Sequence, residues 1–270
     1  MPVSPELPAI AGSPLSIVLC RTDDEADIRS TLQRWTEFLD GLQREYEIIV
    51  VDNSGTNRSV ESETNLGPSH PHVHCCVNAG RAGIGAALRT AIAVAKHPLL
   101  VYTDASGSYP PENLRACLEA IDRVDLVSGF REPSKQRNRW RWSEITHRLI
   151  ARLLFGVRLK EADCLFKLFR KEIFARVVIQ SDGPFVHIEI LAKANFLGKI
   201  MTEVPVHCKD GFESGATGSR VRWRDAWQVF FHPSFGPARL PPTNSPAENA
   251  VDATNLTNPV SSDTGLTPPQ

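Results

Sequence analysis

The sequence predicts an α/β protein in which helices flank a mainly parallel sheet. The first observation is a series of short apolar runs rich in β-branched residues, which are typical of strands buried on both faces. The second is that amphipathic helical patterns separate these runs, and such alternation predicts parallel strands joined by crossover helices. The third is that acids and glycines follow several of the runs directly, at the edge where open parallel sheets bind ligands.

Five strands are predicted in the first half of the chain. They cover residues 15–20, 47–51, 72–77, 99–103 and 124–130. Apolar residues at spacings of three and four predict a helix from Ile28 to Leu42, and glycines open a second helix over residues 83–96. A third helix is predicted at residues 111–121, because Pro lies near its first turn.

The second half of the chain changes in composition as well as in pattern. Residues 131–160 contain nine Lys and Arg but two Glu, although the formal net charge of the whole chain is −1. The elements predicted beyond them are a helix, a strand and an amphipathic segment, at residues 187–198, 199–207 and 221–231.

Composition predicts one ordered domain, residues 15–235. Residues 1–14 and the Pro-, Thr-, Ser- and Asn-rich residues 236–270 are predicted to be disordered. The small net charge argues against a nucleic-acid-binding protein, and no run approaches the roughly 18 apolar residues of a spanning helix. The N-terminus lacks the features of a signal peptide, and six scattered cysteines without a CxxC pair indicate reduced thiols in a cytoplasmic protein.

Histidines and a cysteine alternate in the predicted third strand. His72, His74 and Cys76 would share one face of it. Imidazole and thiolate are metal ligands, so the segment indicates either a metal site or a strand with incidental histidines. Both readings stay open on the sequence.

Three strand-end turns carry residues suited to a nucleotide ligand. Asp52 ends the second strand, Asp104 ends the fourth, and Gly83 and Gly85 precede a helix where a nucleotide could approach the backbone closely. Because the carboxyl ends of parallel strands meet at one edge, we expect these groups to converge on one ligand. The alternative is that such turns favour Asp, Gly and Ser as caps and breakers. No GxGxxG follows the first strand and no GxxxxGK[ST] occurs, which disfavours a dinucleotide enzyme and a P-loop NTPase.

In their order and spacing these segments resemble family 2 glycosyltransferases, in the dolichol- and polyprenol-phosphate sugar synthase branch. The segments that carry the resemblance are SIVLCRTDDEADI, EIIVVDNSGTN, GIGAALRTAI, VYTDASGSYPPENL, DCLFKLFRKEIF and FVHIEILAKANFLGKIMTEVPVH. The resemblance covers residues 15–235 and implies a GT-A fold, which is Rossmann-like.

The resemblance implies roles for the two strand-end acids. Asp52 would hold the base and ribose of a nucleotide sugar. Asp104 would be the first acid of the family's DxD pair, which holds the ribose and a Mg²⁺ or Mn²⁺ ion bridging the diphosphate. The second acid is replaced by Ser106, whose neutral hydroxyl is a much poorer ligand for a hard cation. A metal site at Asp104 and a metal-independent site therefore both stay open.

The resemblance assigns further positions to the same site. Beside Asp52, Asp104 and Ser106, the nucleotide sugar would contact Ser54, Gly83, Gly85, Lys167 and Arg220. Asp163, Glu189 and Arg131 join Asp104 as candidate catalytic residues, and Arg131 and Arg220 could neutralise phosphate groups. Glu189 is expected to orient its neighbours rather than to remove a proton, because a phosphate acceptor is already anionic.

A basic helical pattern raises the question of a membrane surface. Arg141, Arg148 and Arg152 recur at helical spacing within residues 137–158, as in an interfacial helix or a core helix with a solvated Arg stripe. The resemblance implies an inverting transfer from a UDP- or GDP-sugar to a polyprenyl phosphate, by a cytoplasmic protein peripheral to the inner face of the membrane. The alternative is a non-catalytic nucleotide-sugar-binding or scaffold protein, because Ser106 impairs the DxD site.

Overall fold

The computed structural model describes residues 10–21, 28–52, 71–77, 83–131, 149, 152, 155–209 and 223–236. Its strands are β1 (Leu15–Arg21), β2 (Tyr46–Asp52), β3 (Val73–Val77), β4 (Leu99–Asp104), β5 (Leu126–Arg131), β6 (Lys167–Arg170) and β7 (Met201–Val206). Its helices are α1 (Ile28–Asp40), α2 (Ile84–Val94), α3 (Leu114–Ile121), α4 (Val186–Phe196) and α5 (Trp223–Phe231), with short 3₁₀ turns at Pro111–Asn113 and Lys171–Ala175.

The strands form one mixed, mostly parallel sheet in the order β3-β2-β1-β4-β6-β5-β7. The predicted α/β class is therefore confirmed, with one strand that the pattern did not reveal. Strand β6 lies between β4 and β5 and runs antiparallel to both. The alternation of apolar runs and helical patterns carries no information about the direction of a four-residue strand, so its placement had to come from the structure.

The centre of the sheet is buried because its strands carry almost only apolar side chains. Every residue of β2 and of β4 is buried. Helix α1 packs through Trp35, which stacks on Phe166 with ring centroids 6.3 Å apart. Helix α4 packs through His187, whose ring lies 5.5 Å from that of Tyr102 in β4. Burial of these large side chains removes apolar area from water, which is the main force that holds the helices against the sheet.

The last strand begins later than its apolar pattern predicted. Strand β7 starts at Met201 rather than at residue 199, and the carboxylate of Asp125 binds the two residues before it. Its oxygens accept hydrogen bonds from Lys199 Nζ at 2.9 Å and from the Ile200 amide at 2.8 Å.

Residues 10–14, which fall in the predicted disordered N-terminus, are held against the domain. The amides of Ile10 and Ala11 donate to the Asp122 carboxylate at 2.6 and 2.8 Å, and these two hydrogen bonds lower the pKa of Asp122. Arg44 Nη1 donates to the Ala11 carbonyl at 2.6 Å. Residues 1–9 and 237–270 lie outside the described residues, so the domain boundaries stay predictions.

The structure describes only part of the basic segment, residues 137–158. Leu149, Arg152 and Phe155 are helical, whereas Arg141 and Arg148 lie outside the described residues. Among the helices that the structure describes, none combines the length and the apolar character needed to cross a membrane.

Candidate functional site

The two strand-end acids lie at the same edge of the sheet. Strand β1 pairs with β2 on one side and with β4 on the other, which places Asp52 level with Arg21 and Asp104 level with Cys20. Both acids are buried, and Arg21 Nη1 lies 3.8 Å from Asp52 Oδ2. The carboxyl ends of these parallel strands therefore bring two acids to either side of the end of β1.

The turn after β4 is a hydrogen-bonded cluster around Asp104. The Ser106 hydroxyl donates to Asp104 Oδ2, and Ser106 Oγ lies 2.6 Å from Ser108 Oγ. Burial raises the pKa of Asp104, and the hydrogen bonds from Ser106 and Thr103 offset this effect only in part. Gly107 closes the turn at φ +70°, where a Cβ atom would meet the Thr31 hydroxyl at 2.6 Å, so this position requires glycine.

This cluster does not fit a hard divalent cation. Asp104 offers one carboxylate, and the hydroxyls of Ser106 and Ser108 are already engaged with it and with each other. Mg²⁺ and Mn²⁺ prefer several carboxylate or carbonyl oxygens. Within the part of the chain that the structure describes, no group of three or more His, Cys, Asp and Glu could hold a metal ion. His72, His74 and Cys76 form no such group.

The glycines at the start of α2 allow a close approach of protein backbone. A Cβ atom on Gly83 would lie 2.0 Å from the Asp182 carbonyl oxygen, and one on Gly85 would lie 1.8 Å from the Ser181 carbonyl oxygen. The Gly85 amide donates to the Asp182 carbonyl at 3.0 Å. Arg89 pairs with the Asp182 carboxylate one turn further along α2. The structural reason for both glycines is thus this contact, and their contact with a nucleotide stays a prediction.

Glu189 holds residues 180–182, the segment that packs against Gly83 and Gly85. Its side chain is fully buried in α4, and it accepts hydrogen bonds from the amides of Gln180 at 2.7 Å and Ser181 at 2.8 Å. Lys193 Nζ, one turn along the helix, lies 2.7 Å from Glu189 Oε1. Burial lowers the pKa of Lys193, and the neighbouring carboxylate offsets this in part. With its oxygens engaged in this way, Glu189 is placed to hold backbone rather than to face a substrate.

Arg131 lies at the end of β5 in an ion pair with Glu161. Its amide donates to Glu161 Oε2 at 2.7 Å, and its guanidinium contacts Glu161 Oε1. Burial alone would lower the pKa of Arg131, but the Glu161 carboxylate raises it above the usual value. Glu161 is anchored in turn, because the carboxylate of Glu203 accepts the amides of residues 160 and 161 at 2.8 and 3.1 Å. The charge of Arg131 is therefore already balanced by a carboxylate.

Lys167 and Asp163 lie beneath the same edge of the sheet. Lys167 is buried, and its Nζ donates to Ser128 Oγ at 2.8 Å. Burial lowers the pKa of Lys167, and Asp163, which is also buried, is one of the acids that raise it. Ser54 and Arg220 lie outside the described residues, so their assignment stays a prediction.

Sequence reasoning missed the partners of these residues. Lys193 follows Glu189 by four positions on a predicted helix, and that spacing is a signal for an ion pair that could have been used. Nothing local points to Glu161 as the partner of Arg131, because the two are 30 residues apart. The 181–182 segment was missed because only the tertiary structure brings it against α2.

The fold is similar to that of an enzyme of known structure. Glucosyl-3-phosphoglycerate synthase from Mycobacterium tuberculosis, solved in complex with Mn²⁺, uridine diphosphate and phosphoglyceric acid, is a structural neighbour. It matches with a TM-score of 0.59 and 22% sequence identity over 82% of this chain and 77% of that chain. This likeness confirms the predicted GT-A fold.

Curated relatives carry names from the branch that the motifs indicated. Polyprenol monophosphomannose synthase from Mycolicibacterium smegmatis is 28% identical over 177 residues, which are 59% of this chain and 65% of that protein. Undecaprenyl-phosphate mannosyltransferase from Micrococcus luteus is 25% identical over 173 residues, which are 60% of this chain and 71% of that protein. The match thus spans just under two thirds of the first relative and somewhat more of the second. These relatives confirm the resemblance to the polyprenol-phosphate branch.

The family itself follows from a match to more than half of the chain. The model of glycosyl transferase family 2 matches residues 16–178, which run from β1 past β6 and include both strand-end acids. The protein belongs to glycosyl transferase family 2.

Proposed function

We propose that the protein transfers a sugar from a UDP- or GDP-linked donor to a polyprenyl-phosphate acceptor, with inversion at the anomeric carbon. The observation that carries this proposal is the position of Asp52 and Asp104, two buried acids on either side of the end of β1. They stand where open parallel sheets bind nucleotides, in a member of glycosyl transferase family 2. The names of the curated relatives support the polyprenyl-phosphate acceptor.

The proposed reaction is a single displacement. An oxygen of the acceptor phosphate forms a bond to the anomeric carbon, the bond from that carbon to the donor diphosphate breaks, and the nucleoside diphosphate leaves with the electron pair. The acceptor phosphate is anionic before the reaction, so no side chain has to remove a proton. The reaction therefore needs no general base. This agrees with the position of Glu189, whose oxygens already bind two amides and the ammonium of Lys193.

The acceptor lipid requires a membrane surface, and we propose that α5 contacts it from the cytoplasmic side. Trp227 and Phe231 are 58% and 56% exposed, and their rings stack with centroids 4.8 Å apart. Phe230 links them to the basic segment, since its ring lies 5.8 Å from that of Phe155. Arg152, on that segment, is exposed. Exposed aromatic rings together with an exposed Arg suit the interface of an anionic bilayer.

One observation favours a second function, the binding of a nucleotide sugar without transfer. Ser106 replaces the second acid of the DxD pair, and its hydroxyl is bound to Asp104. Loss of one electrostatic stabiliser typically costs about 10²–10³ in rate, which is compatible with slow transfer or with none.

A panel of labelled donors separates these functions. The full chain is incubated with each UDP- or GDP-sugar and polyprenyl phosphate, and the lipid product is extracted and its anomeric configuration determined by NMR. Transfer with inverted configuration supports the enzyme. Protection against heat by a nucleotide sugar without transfer supports the binding protein. Neither transfer nor protection across the panel would reject both.

A further inference from the structure

A donor bound at Asp104 creates a charge problem. A nucleoside diphosphate brings several negative charges to an edge that already carries two acids, and the cluster of Asp104, Ser106 and Ser108 does not suit a divalent cation that could balance them. Positive charge must then come from the chain itself, as it does in Arg and Lys clamps on phosphoryl groups.

Three cations that the structure describes at this edge of the sheet are already engaged. Arg131 is paired with Glu161, with side chains that are 7% and 12% exposed. Arg21 faces Asp52 at 3.8 Å. Lys167 is buried and donates to a hydroxyl. Using any of the three for the diphosphate would leave a carboxylate uncompensated or require a buried side chain to move.

Lys209 is differently placed, because its backbone is tied to the Asp104 turn. Its amide donates to the Ser108 carbonyl at 2.9 Å, and its side chain is exposed. The chain just before it is also fixed: the His207 amide donates to Asn113 Oδ1 at 2.9 Å, and Asn113 Nδ2 donates to the His207 carbonyl at 2.8 Å. The Lys209 ammonium forms no ion pair with any residue that the structure describes. The backbone of an exposed cation is thus anchored beside the turn that contains Asp104 and Ser108.

We infer that Lys209 supplies the positive charge for the donor diphosphate, so that this site binds a nucleoside diphosphate without a divalent cation. The inference rests on the proposed function, since it concerns the donor of that reaction. It assigns the charge-balancing role to a side chain that the sequence motifs did not single out.

The size of the effect follows from the kind of contact. A hydrogen bond to a charged phosphate contributes enough that removing the ammonium weakens binding about tenfold to a hundredfold. Lys209→Met keeps the backbone amide that anchors the turn and most of the aliphatic stem, so the charge is what changes. Lys96→Met is the matched control, because Lys96 is also exposed but follows α2 at the opposite end of the sheet, where its amide binds Glu47.

The test is isothermal titration of the full chain with UDP and with GDP, once in EDTA and once in Mn²⁺. We expect the parent to bind one of the two nucleotides equally in both buffers. Lys209→Met should weaken that binding in EDTA by the factor given above, and Lys96→Met should leave it unchanged. Ser106→Asp should make binding tighter in Mn²⁺ than in EDTA, because it restores the second carboxylate.

The outcomes separate the inference from the proposed function. A parent that binds nucleotide in Mn²⁺ but not in EDTA overturns the inference and leaves the function standing. A Lys209→Met variant that binds nucleotide as tightly as the Lys96→Met variant also overturns the inference and leaves the function standing. A folded parent that binds neither nucleotide in either buffer overturns the donor assignment, and the inference with it.

Discussion

Replacing Glu189 by Gln tests whether this residue positions backbone or acts as a base. Glu189 is fully buried and accepts hydrogen bonds from the amides of Gln180 and Ser181 and from Lys193 Nζ, at 2.7, 2.8 and 2.7 Å. Gln keeps the volume but replaces one acceptor by an NH₂ group, and it leaves the Lys193 charge without its carboxylate. Breaking a buried ion pair in this way costs about 3–5 kcal/mol. In a domain of this size that lowers Tm by about 6–20 °C.

Urea and thermal unfolding of four proteins measure this cost. They are the parent, Glu189→Gln, Lys193→Met and the double variant. Because the two side chains are in contact, the double variant should be less destabilised than the sum of the single variants, by a coupling of about 0.5–3 kcal/mol. Glu37→Gln is the control, since Glu37 accepts a hydrogen bond from Gln33 at 2.8 Å on the exposed face of a helix. It should stay within about 0.5 kcal/mol of the parent.

Two results would refute this reasoning. The first is a Glu189→Gln variant whose unfolding free energy lies within about 1 kcal/mol of the parent's, which a broken buried pair does not allow. The second is a variant that is still folded at the assay temperature but transfers sugar much more slowly than the parent, with a residual kcat that no longer varies with pH. That result would make Glu189 a base that touches the substrate.

Three further predictions concern the glycine turn, the Asp104 cluster and the exposed rings. Gly85→Ala should destabilise the protein by about 1–3 kcal/mol because its Cβ would lie 1.8 Å from a backbone carbonyl oxygen, whereas Gly12→Ala, with nothing within 4 Å, should be neutral in the same urea titration. Burial raises the pKa of Asp104 above its usual 3.8, so the parent should lose stability as pH rises from 3.8 through the raised pKa. Asp104→Asn has no carboxyl group to ionise, so its free energy of unfolding relative to the parent's should increase between pH 3.5 and pH 7. If urea unfolding shows that this difference decreases instead, the cost of burying the Asp104 charge is contradicted. The double variant Trp227→Ala, Phe231→Ala should float less with anionic liposomes at unchanged Tm, and equal flotation would remove α5 from the membrane contact.

The parallel half of the fold could be predicted because its signals are local. Strands β1, β2 and β4 are continuous apolar runs, and Asp52 and Asp104 follow from the ends of those runs. Parallel pairing then brings the strand ends to one edge whatever the details of the connections. These elements needed only the period of the sequence and the topology that it implies.

The rest depends on contacts between distant parts of the chain. Glycines at positions 83 and 85 looked like a nucleotide turn, but their steric need arises from a segment almost 100 residues later. The partner of Arg131 is likewise set by the path of the chain around Glu161. An ion pair or a close backbone approach leaves no periodic trace, so a single sequence shows the residue types and not which of them meet.

The antiparallel strand β6 has a consequence for how the chain folds during its synthesis. Until residues 167–170 have left the ribosome, β4 and β5 lack the neighbour that lies between them, and each presents an unpaired edge. At about 5–20 residues per second, this delay lasts several seconds after Asp104 has been added. Nascent or truncated chains that end before β6 should therefore be the aggregation-prone species, and the nascent protein should need the protection of a chaperone most during that interval.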